Sequence, residues 1–398
     1  MVRFIHAADL HVDRAFEGLA NLNKKTHKIF AQINQQVLIN LVTAAVSQNV
    51  DFVLLAGDTF HQNKPSLKTQ HFFFEQIQRL AEKKIPVYMI FGNHDYYDPQ
   101  RYWFAFPENI RLFTSEKVMT FEGKTKNGET YAISGFSYTH PWIETSKVSE
   151  FPKRRAVDLH IGMYHGDSNG ERYAPFSISQ MQKKNYDYWA LGHIHVPTVL
   201  KEQPPILYSG TTQGHNKKET ATGIQLVEYN GSRCVRQEIK VEELAWVHTE
   251  LSLAKVRNQQ EALEEISRYL EQQPENTLQS LQVTDSEHLG NEFLAEYQLQ
   301  EVMDYVNERP LQKEKQIILY EITSRQTASE KLFLPASGEL LQLLLTNYQD
   351  QALFEMIHEE LLTHTIAAKA LDKQQYQEDV LKAVRQFIDQ GFEWEEDK

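Results

Sequence analysis

One cysteine, Cys234, stands among 398 residues. That excludes an internal disulfide framework and any Cys-rich zinc site, and it fits a reducing cytosol. No window approaches 18 uninterrupted apolar residues, so no transmembrane helix is expected. Met1–His11 lacks the basic start and the apolar stretch of a signal peptide. The expectation is a soluble, cytoplasmic protein. Positive charge is also scarce: 41 Lys+Arg face 54 Asp+Glu, a formal net charge of -13. Such a balance would ordinarily argue against a polyanionic substrate. The scarcity is local, however. Residues 1–245 carry 28 Lys+Arg against 25 Asp+Glu, whereas residues 246–398 carry 13 against 29. Fourteen of the 17 glycines precede residue 246 as well. A boundary near Glu242–Trp246 follows, and the argument against a polyanion applies only beyond it.

What is present before that boundary is an alternation of short β-rich runs and helical patterns, the mark of an α/β layered fold. Val2–Ala8, Asp51–Ala56 and Ile85–Phe91 read as strands. Between them, Thr26–Gln48 places Ile29, Phe30, Ile33, Val37, Leu41 and Ala45 at helical spacing. Pro65 is expected in the first turn of a helix running to about Lys84. Tyr131–Tyr138, Asp158–Tyr164, Tyr186–Leu191, Ile206–Ser209 and Ile224–Tyr229 are further strand candidates. After Trp246 the pattern is strand (Val247–Leu253), helix (Gln259–Gln272), strand (Leu278–Val283), helix (Leu294–Glu308) and strand (Gln316–Ile322), a small α+β domain. From Gly338 the chain reads as helical, over Leu340–Leu362 and Gln374–Gln390.

Five strings concentrate the chemistry: Asp9-Leu10-His11, Gly57-Asp58-Thr59-Phe60-His61, Gly92-Asn93-His94-Asp95, His165-Gly166 and Gly192-His193-Ile194-His195. Each follows an expected strand, where α/β folds place their functional loops. In an extended segment residues i and i+2 share a side, so Asp9 pairs with His11 and His193 with His195. Taken singly, each string has a plainer reading. A DxH pair is usually a polar loop, His165 a hydrogen-bonded core histidine, and Gly-Asn-His-Asp a turn. Their joint occurrence, in order and at strand ends, points to a shared metal site. Carboxylate, amide oxygen and imidazole without thiolate suit manganese, iron or zinc rather than calcium or an iron–sulfur cluster.

With all five blocks in order, residues 1–230 resemble the calcineurin-like metallophosphoesterases, whose pattern is DxH, GD, GNH[DE], H and GHxH. The resemblance implies a four-layer αββα sandwich with two divalent cations at the strand ends. Asp9, His11 and His195 would hold one cation, Asn93, His165 and His193 the other, and Asp58 would bridge them. Manganese is the expected metal, with iron, zinc or magnesium as alternatives. His94 would contact the scissile phosphate or protonate the leaving oxygen, oriented by Asp95. The implied reaction is hydrolysis of a phosphoester, since paired cations acidify a shared water and neutralise phosphate oxygens.

The substrate class rests on a longer string. Gly57-Asp58-Thr59-Phe60-His61-Gln62-Asn63-Lys64-Pro65-Ser66 resembles the GDxFHxxxPS block of SbcD-type DNA repair nucleases, and makes His61 a second phosphate-facing histidine. Leu207–Gly214 with Lys217-Lys218-Glu219 resembles the YhaO subgroup. By that resemblance residues 1–245 are the nuclease domain, 246–335 a capping domain and 336–398 a helical docking segment with an acidic tail. The partners would be DNA and an SbcC-like coiled-coil ATPase seated on residues 338–390, where Leu341, Leu344, Leu345, Tyr348, Leu353, Ile357, Leu361 and Leu362 form an apolar stripe. A homodimer through Thr26–Gln48 is a further expectation. Lys64, Lys68, Tyr96 and Tyr97 are candidate DNA contacts, as are the basic groups Lys24-Lys25, Lys153-Arg154-Arg155, Lys183-Lys184 and Lys217-Lys218. Two other readings compete: a phosphodiesterase or phosphatase for small nucleotides or phosphoproteins, and a subunit that mainly holds DNA for the ATPase.

Overall fold

A computed structural model describes residues 1–324 apart from 21, 23, 169, 291–295 and 310–314. The chain divides after Gln326, and all the described residues fall in the first unit. The expected helices beyond Gly338 and the docking stripe lie outside the described residues.

In the first unit the chain runs β1 (Val2–Ala7), α1 (Lys24–Ser47), β2 (Phe52–Ala56), α2 (Leu67–Glu82), β3 (Val87–Ile90), β4 (Ile110–Leu112), β5 (Met119–Lys124), β6 (Thr130–Gly135), β7 (Leu159–His165), α3 (Ile178–Gln182), β8 (Tyr188–Gly192), β9 (Thr198–Lys201), β10 (Ile206–Tyr208), β11 (Ile224–Tyr229) and β12 (Cys234–Ile239). Two six-stranded sheets result, ordered β12-β11-β1-β2-β3-β4 and β5-β6-β7-β8-β10-β9. β1 to β4 pair in parallel, as do β6, β7, β8 and β10. The C-terminal ends of β1, β2 and β3 therefore share one edge of their sheet, and those of β6, β7 and β8 one edge of theirs.

Side-chain parity explains the layers. Val2 and Phe4 of β1, with Phe52, Leu54 and Ala56 of β2, pack on Tyr131, Ile133, Ile161, Met163 and Tyr188 of the second sheet. The alternate residues Ile5, Ala7, Val53 and Leu55 pack on Val37, Leu41, Phe73 and Ile77 of α1 and α2. Strands buried on both faces read as continuous apolar runs, as β2 does. On the far face of the second sheet Phe136, Tyr138, Tyr164, Trp189 and Leu191 are covered by Phe151, Phe176 and Met181. That outer layer is thin, since α3 has only five residues.

Local chemistry corrects one expectation. Pro65 lies outside α2, because Ser66 is its N-cap and accepts the Thr69 N–H at 3.1 Å. β4, β5, β9, β12 and α3 have no counterpart among the expected elements. All four strands sit at sheet edges, where half-exposed residues break the apolar pattern. Beyond residue 244 come β13 (Ala245–Ser252), α4 (Gln259–Glu271), β14 (Thr277–Thr284), α5 (Glu296–Glu308) and β15 (Ile317–Ser324). The three strands form a parallel sheet with a helix in each crossover. The apolar cluster under the first sheet continues through Val241, Leu244 and Trp246 into Leu278, Leu281 and Leu319. Among the described residues no helix is long and apolar enough to cross a membrane.

The tight inter-sheet packing has a measurable consequence at His6. Its Nδ1 accepts the Tyr188 hydroxyl at 3.0 Å and its Nε2–H donates to the Leu191 carbonyl at 3.1 Å. Burial pushes its pKa from 6.5 down to about 3, against the pull of the Leu191 carbonyl. The ring is therefore neutral in the fold but gains a proton in the unfolded chain below 6.5. The unfolded state binds more protons, so stability falls as pH drops through that window, by up to about 1.4 kcal/mol per pH unit for this group. Urea unfolding between pH 7 and 4 should show the decline, and His6→Gln should flatten it. An equal slope in the variant would exclude His6 as a source.

Candidate metal centre

The five expected strings lie in the loops that leave β1, β2, β3, β7 and β8. Their backbone is not the extended chain that i, i+2 pairing assumes. Asp9, His11 and Asp58 have φ of 50°, 43° and 50°, and His193 has φ of 104°. Left-handed backbone is disfavoured for most side chains but tolerated by Asp, Asn and His, and it clusters at functional loops. The turns are tied together: Asp9 N–H donates to Gly57 O and His11 N–H to Asp58 O, both at 3.0 Å. The His193 N–H donates to both Asp9 carboxylate oxygens, at 3.1 and 3.0 Å. Convergence thus comes from kinked turns rather than from strand parity.

These turns bring seven side chains to one place. Ligand atoms of Asp9, His11 and His195 lie within 4.8 Å of one another, as do those of Asp9, Asp58 and His165. His11 Nε2 and His195 Nε2 are 3.1 Å apart. Asp58 Oδ2 is 3.4 Å from His165 Nε2 and 4.0 Å from His11 Nε2. Asn93 Oδ1 is 3.1 Å from His165 Nε2 and 3.0 Å from His193 Nδ1. His165 donates its Nδ1–H to the Ala56 carbonyl at 3.0 Å, which turns Nε2 toward the cluster. His11 Nδ1 is buried without a hydrogen-bond partner. So many oxygen and imidazole donors crowded together, one imidazole nitrogen orphaned, fit a pair of divalent cations.

Three glycines make the room. A methyl on Gly57, Gly92 or Gly192 would collide with the His165 ring. The glycine of each motif therefore admits this one imidazole between the sheets. Electrostatics follow from the crowding. Burial opposes ionisation of Asp58, but the imidazoles of His165, His11 and His94 outweigh it and hold the carboxyl well below its usual range. Asp9 is pushed up to about 6 by burial, with Asp58 adding to the shift. Burial disfavours the His165 cation, yet Asp58 and Asp9 raise its pKa to about 9. His193 is lowered to about 3 by burial and by the facing His165.

The remaining candidates divide by position. His61 stacks on His94 at 4.8 Å, and both meet the His11 ring edgewise, at 5.3 and 5.2 Å. The Asp13 carboxylate fixes the His61 backbone N–H at 2.6 Å. Asp95 does not orient His94. Its Oδ1 accepts the Gly92 N–H at 2.7 Å, and its Oδ2 those of Thr59 and Phe60 at 2.8 and 3.3 Å. It fastens the β3 loop to the β2 loop, while the His94 N–H donates to Asp58 Oδ1 at 3.0 Å. Tyr97 packs on Phe91 at 5.1 Å, and Tyr96 carries the Arg101 guanidinium over one face of its ring at 4.1 Å. Lys64 and Lys68 are exposed beside the β2 loop.

Most of the basic groups are engaged elsewhere. Arg154 pairs with Asp187 at 2.9 Å and Arg155 with Glu122 at 3.3 Å, in the segment leading into β7 and so at the opposite strand end from His165. Lys184 donates to the Ser149 and Phe151 carbonyls, and Lys217 pairs with Glu321 at 3.3 Å. The side chains of Lys24 and Lys25 lie outside the described residues. Two groups at the site carry little signal in the sequence. Glu219 bonds His195 Nδ1 at 2.8 Å, and Arg14 bonds Glu219 at 3.0 Å. In sequence Glu219 stands out only through the lysines beside it, and Arg14 follows His11 by three residues without belonging to its motif.

Comparison with known proteins agrees with this geometry. A family model described as calcineurin-like phosphoesterase matches residues 2–197. The chain is 36% identical over 268 residues to the uncharacterized metallophosphoesterase YhaO of Bacillus subtilis, covering 64% of each. It is 29% identical over 254 residues to the DNA double-strand break repair protein Mre11 of Saccharolobus solfataricus, covering 58% of this chain and 61% of that one. It is 23% identical over 243 residues to a subunit of the nuclease SbcCD of Staphylococcus epidermidis, covering 53% of this chain and 61% of that one. The matched part thus spans a little under two thirds of each relative. Residues 2–197 are a calcineurin-like metallophosphoesterase domain.

Proposed function

We propose that this protein is a dinuclear, metal-dependent phosphodiester hydrolase that cuts DNA, with manganese as its working cation. The observation that carries the reading is the meeting of Asp9, His11, Asp58, Asn93, His165, His193 and His195 at the loops of two facing sheets. DNA as substrate is supported by the relatives, one a DNA double-strand break repair protein and another a nuclease subunit. Asp9, His11 and His195 would hold one cation and Asn93, His165 and His193 the other, with Asp58 available to both. When bound, two such cations would neutralise phosphate oxygens and acidify a water held at the site. The chain contributes the rest. His165 keeps its Nδ1 proton on the Ala56 carbonyl, so a cation would take Nε2 by displacing the proton that Asp58 and Asp9 favour there. His94, stacked on His61 at the margin of the ligand cluster, gives a proton to the leaving oxygen. His61 contacts the phosphate from the same side. A cytoplasmic location, an SbcC-like ATPase docked on residues 338–390 and a homodimer through α1 belong to the same reading.

The test sets the purified full chain, in manganese, against linear duplex DNA and against bis-p-nitrophenyl phosphate. Both should be hydrolysed, the activity vanishing in EDTA and returning with manganese. Turnover of the small ester with DNA left intact would overturn the DNA assignment and favour a small phosphodiester. Failure on both substrates, with no manganese bound, would overturn the hydrolase itself.

A further inference from the structure

Behind the metal centre lies a buried carboxylate with no part in the steps above. Glu219 sits in the loop between β10 and β11 and is only 6% exposed. Its Oε1 accepts from His195 Nδ1 at 2.8 Å, Arg14 Nη1 at 3.0 Å and Asn216 Nδ2 at 2.9 Å. Its Oε2 accepts the His215 backbone N–H at 2.8 Å. Both oxygens are thus engaged, and the charge is balanced by Arg14, whose Nη2 also holds Glu17 at 2.8 Å.

A neutral imidazole has one donor and one acceptor, and the partner of one nitrogen fixes the other. With Nδ1–H committed to Glu219, His195 Nε2 carries the lone pair that faces His11 Nε2 and Asp9. Two other histidines of the cluster differ in this respect. His165 is fixed by the backbone carbonyl of Ala56, which no substitution can remove, and His11 Nδ1 has no partner. We propose that Glu219 is the positioning residue for His195, and that it sets the affinity of the cation held by Asp9, His11 and His195 without affecting its neighbour. The proposal rests on the ligand assignment above. A carboxylate behind a ligating histidine typically governs metal affinity by 10- to 100-fold.

The experiment is a manganese titration of the metal-free full chain by calorimetry, with bound ions counted by electron paramagnetic resonance. Wild type should take two ions. Glu219→Gln, which keeps the shape but leaves His195 Nδ1 without a charged acceptor, should weaken one ion by about 10- to 100-fold and leave the other unchanged. Arg14→Gln breaks the same ion pair while leaving the His195–Glu219 bond, and should shift both affinities by less than about threefold. Two tight ions in Glu219→Gln, or an equal loss in Arg14→Gln, would overturn the proposal; the latter would mean that Glu219 acts only through the local fold. Wild type binding no manganese would instead overturn the ligand assignment.

Discussion

Asp58→Asn should abolish hydrolysis while leaving the protein folded. The residue is 1% exposed, and its two oxygens face different partners. Oδ1 accepts the His94 N–H, and Oδ2 points toward His165 and His11. Asparagine fills the same volume and can keep the first bond, so the β2 and β3 loops retain their link. What disappears is the negative oxygen between the two ligand sets, replaced by an amide N–H₂ that repels a cation. Its surroundings keep Asp58 ionised to lower pH than Asp9, which burial raises to about 6. Losing it removes several kcal/mol of charge stabilisation, which corresponds to a rate loss of about 10³-fold or more. The check is the rate on bis-p-nitrophenyl phosphate together with a count of bound manganese. Fewer than two ions are expected at concentrations that saturate wild type, and two ions with wild-type turnover would defeat the bridging role.

His94→Gln should separate chemistry from metal binding. The His94 ring lies against His61 and His11, outside the donor cluster, so two manganese ions should still bind. A lost proton donor costs about 10²- to 10⁴-fold when the leaving oxygen needs its proton. The deoxyribose alkoxide released from DNA needs one, and p-nitrophenolate does not. DNA cleavage should therefore collapse in this variant, while hydrolysis of the nitrophenyl ester falls far less. Equal losses on the two substrates would remove proton donation from the role of His94 and leave phosphate contact in its place.

Much of this is legible in the sequence because the informative residues are few, chemically distinctive and attached to strong strand signals. Asp9, His11, Asp58, Asn93, His165, His193 and His195 each follow a β run whose apolar residues announce it. What stays illegible depends on partners far away in the chain. The left-handed turns at Asp9, His11 and Asp58 exist because two loops about 48 residues apart hydrogen-bond to each other. Asp95 looks like a catalytic carboxylate in its motif, yet the backbone N–H groups of Thr59, Phe60 and Gly92 claim both its oxygens. Glu219 acquires its place only when the loop after β8 and the β10–β11 loop pack together. The basic pair Arg154-Arg155 carries the right charge at the wrong end of β7. Edge strands such as β5 and β12 mix charge with apolar residues because one side meets solvent, which erases the alternation a core-facing strand would show.

The position of β1 also governs how the chain is completed during synthesis. It lies between β2 and β11, so one side of it finds a parallel partner in residues 52–55. Its other side is filled only by residues 225–229, running antiparallel. At roughly 5–20 residues per second, the ribosome leaves that backbone edge open for on the order of ten seconds or more after β2 has appeared. An unpaired edge recruits other strands, and β1 is short enough to limit that hazard. Asp9 and His11 likewise wait across 184 residues for His193 and His195. A chain released before that point would carry an open sheet and a donor set unable to close around its ions.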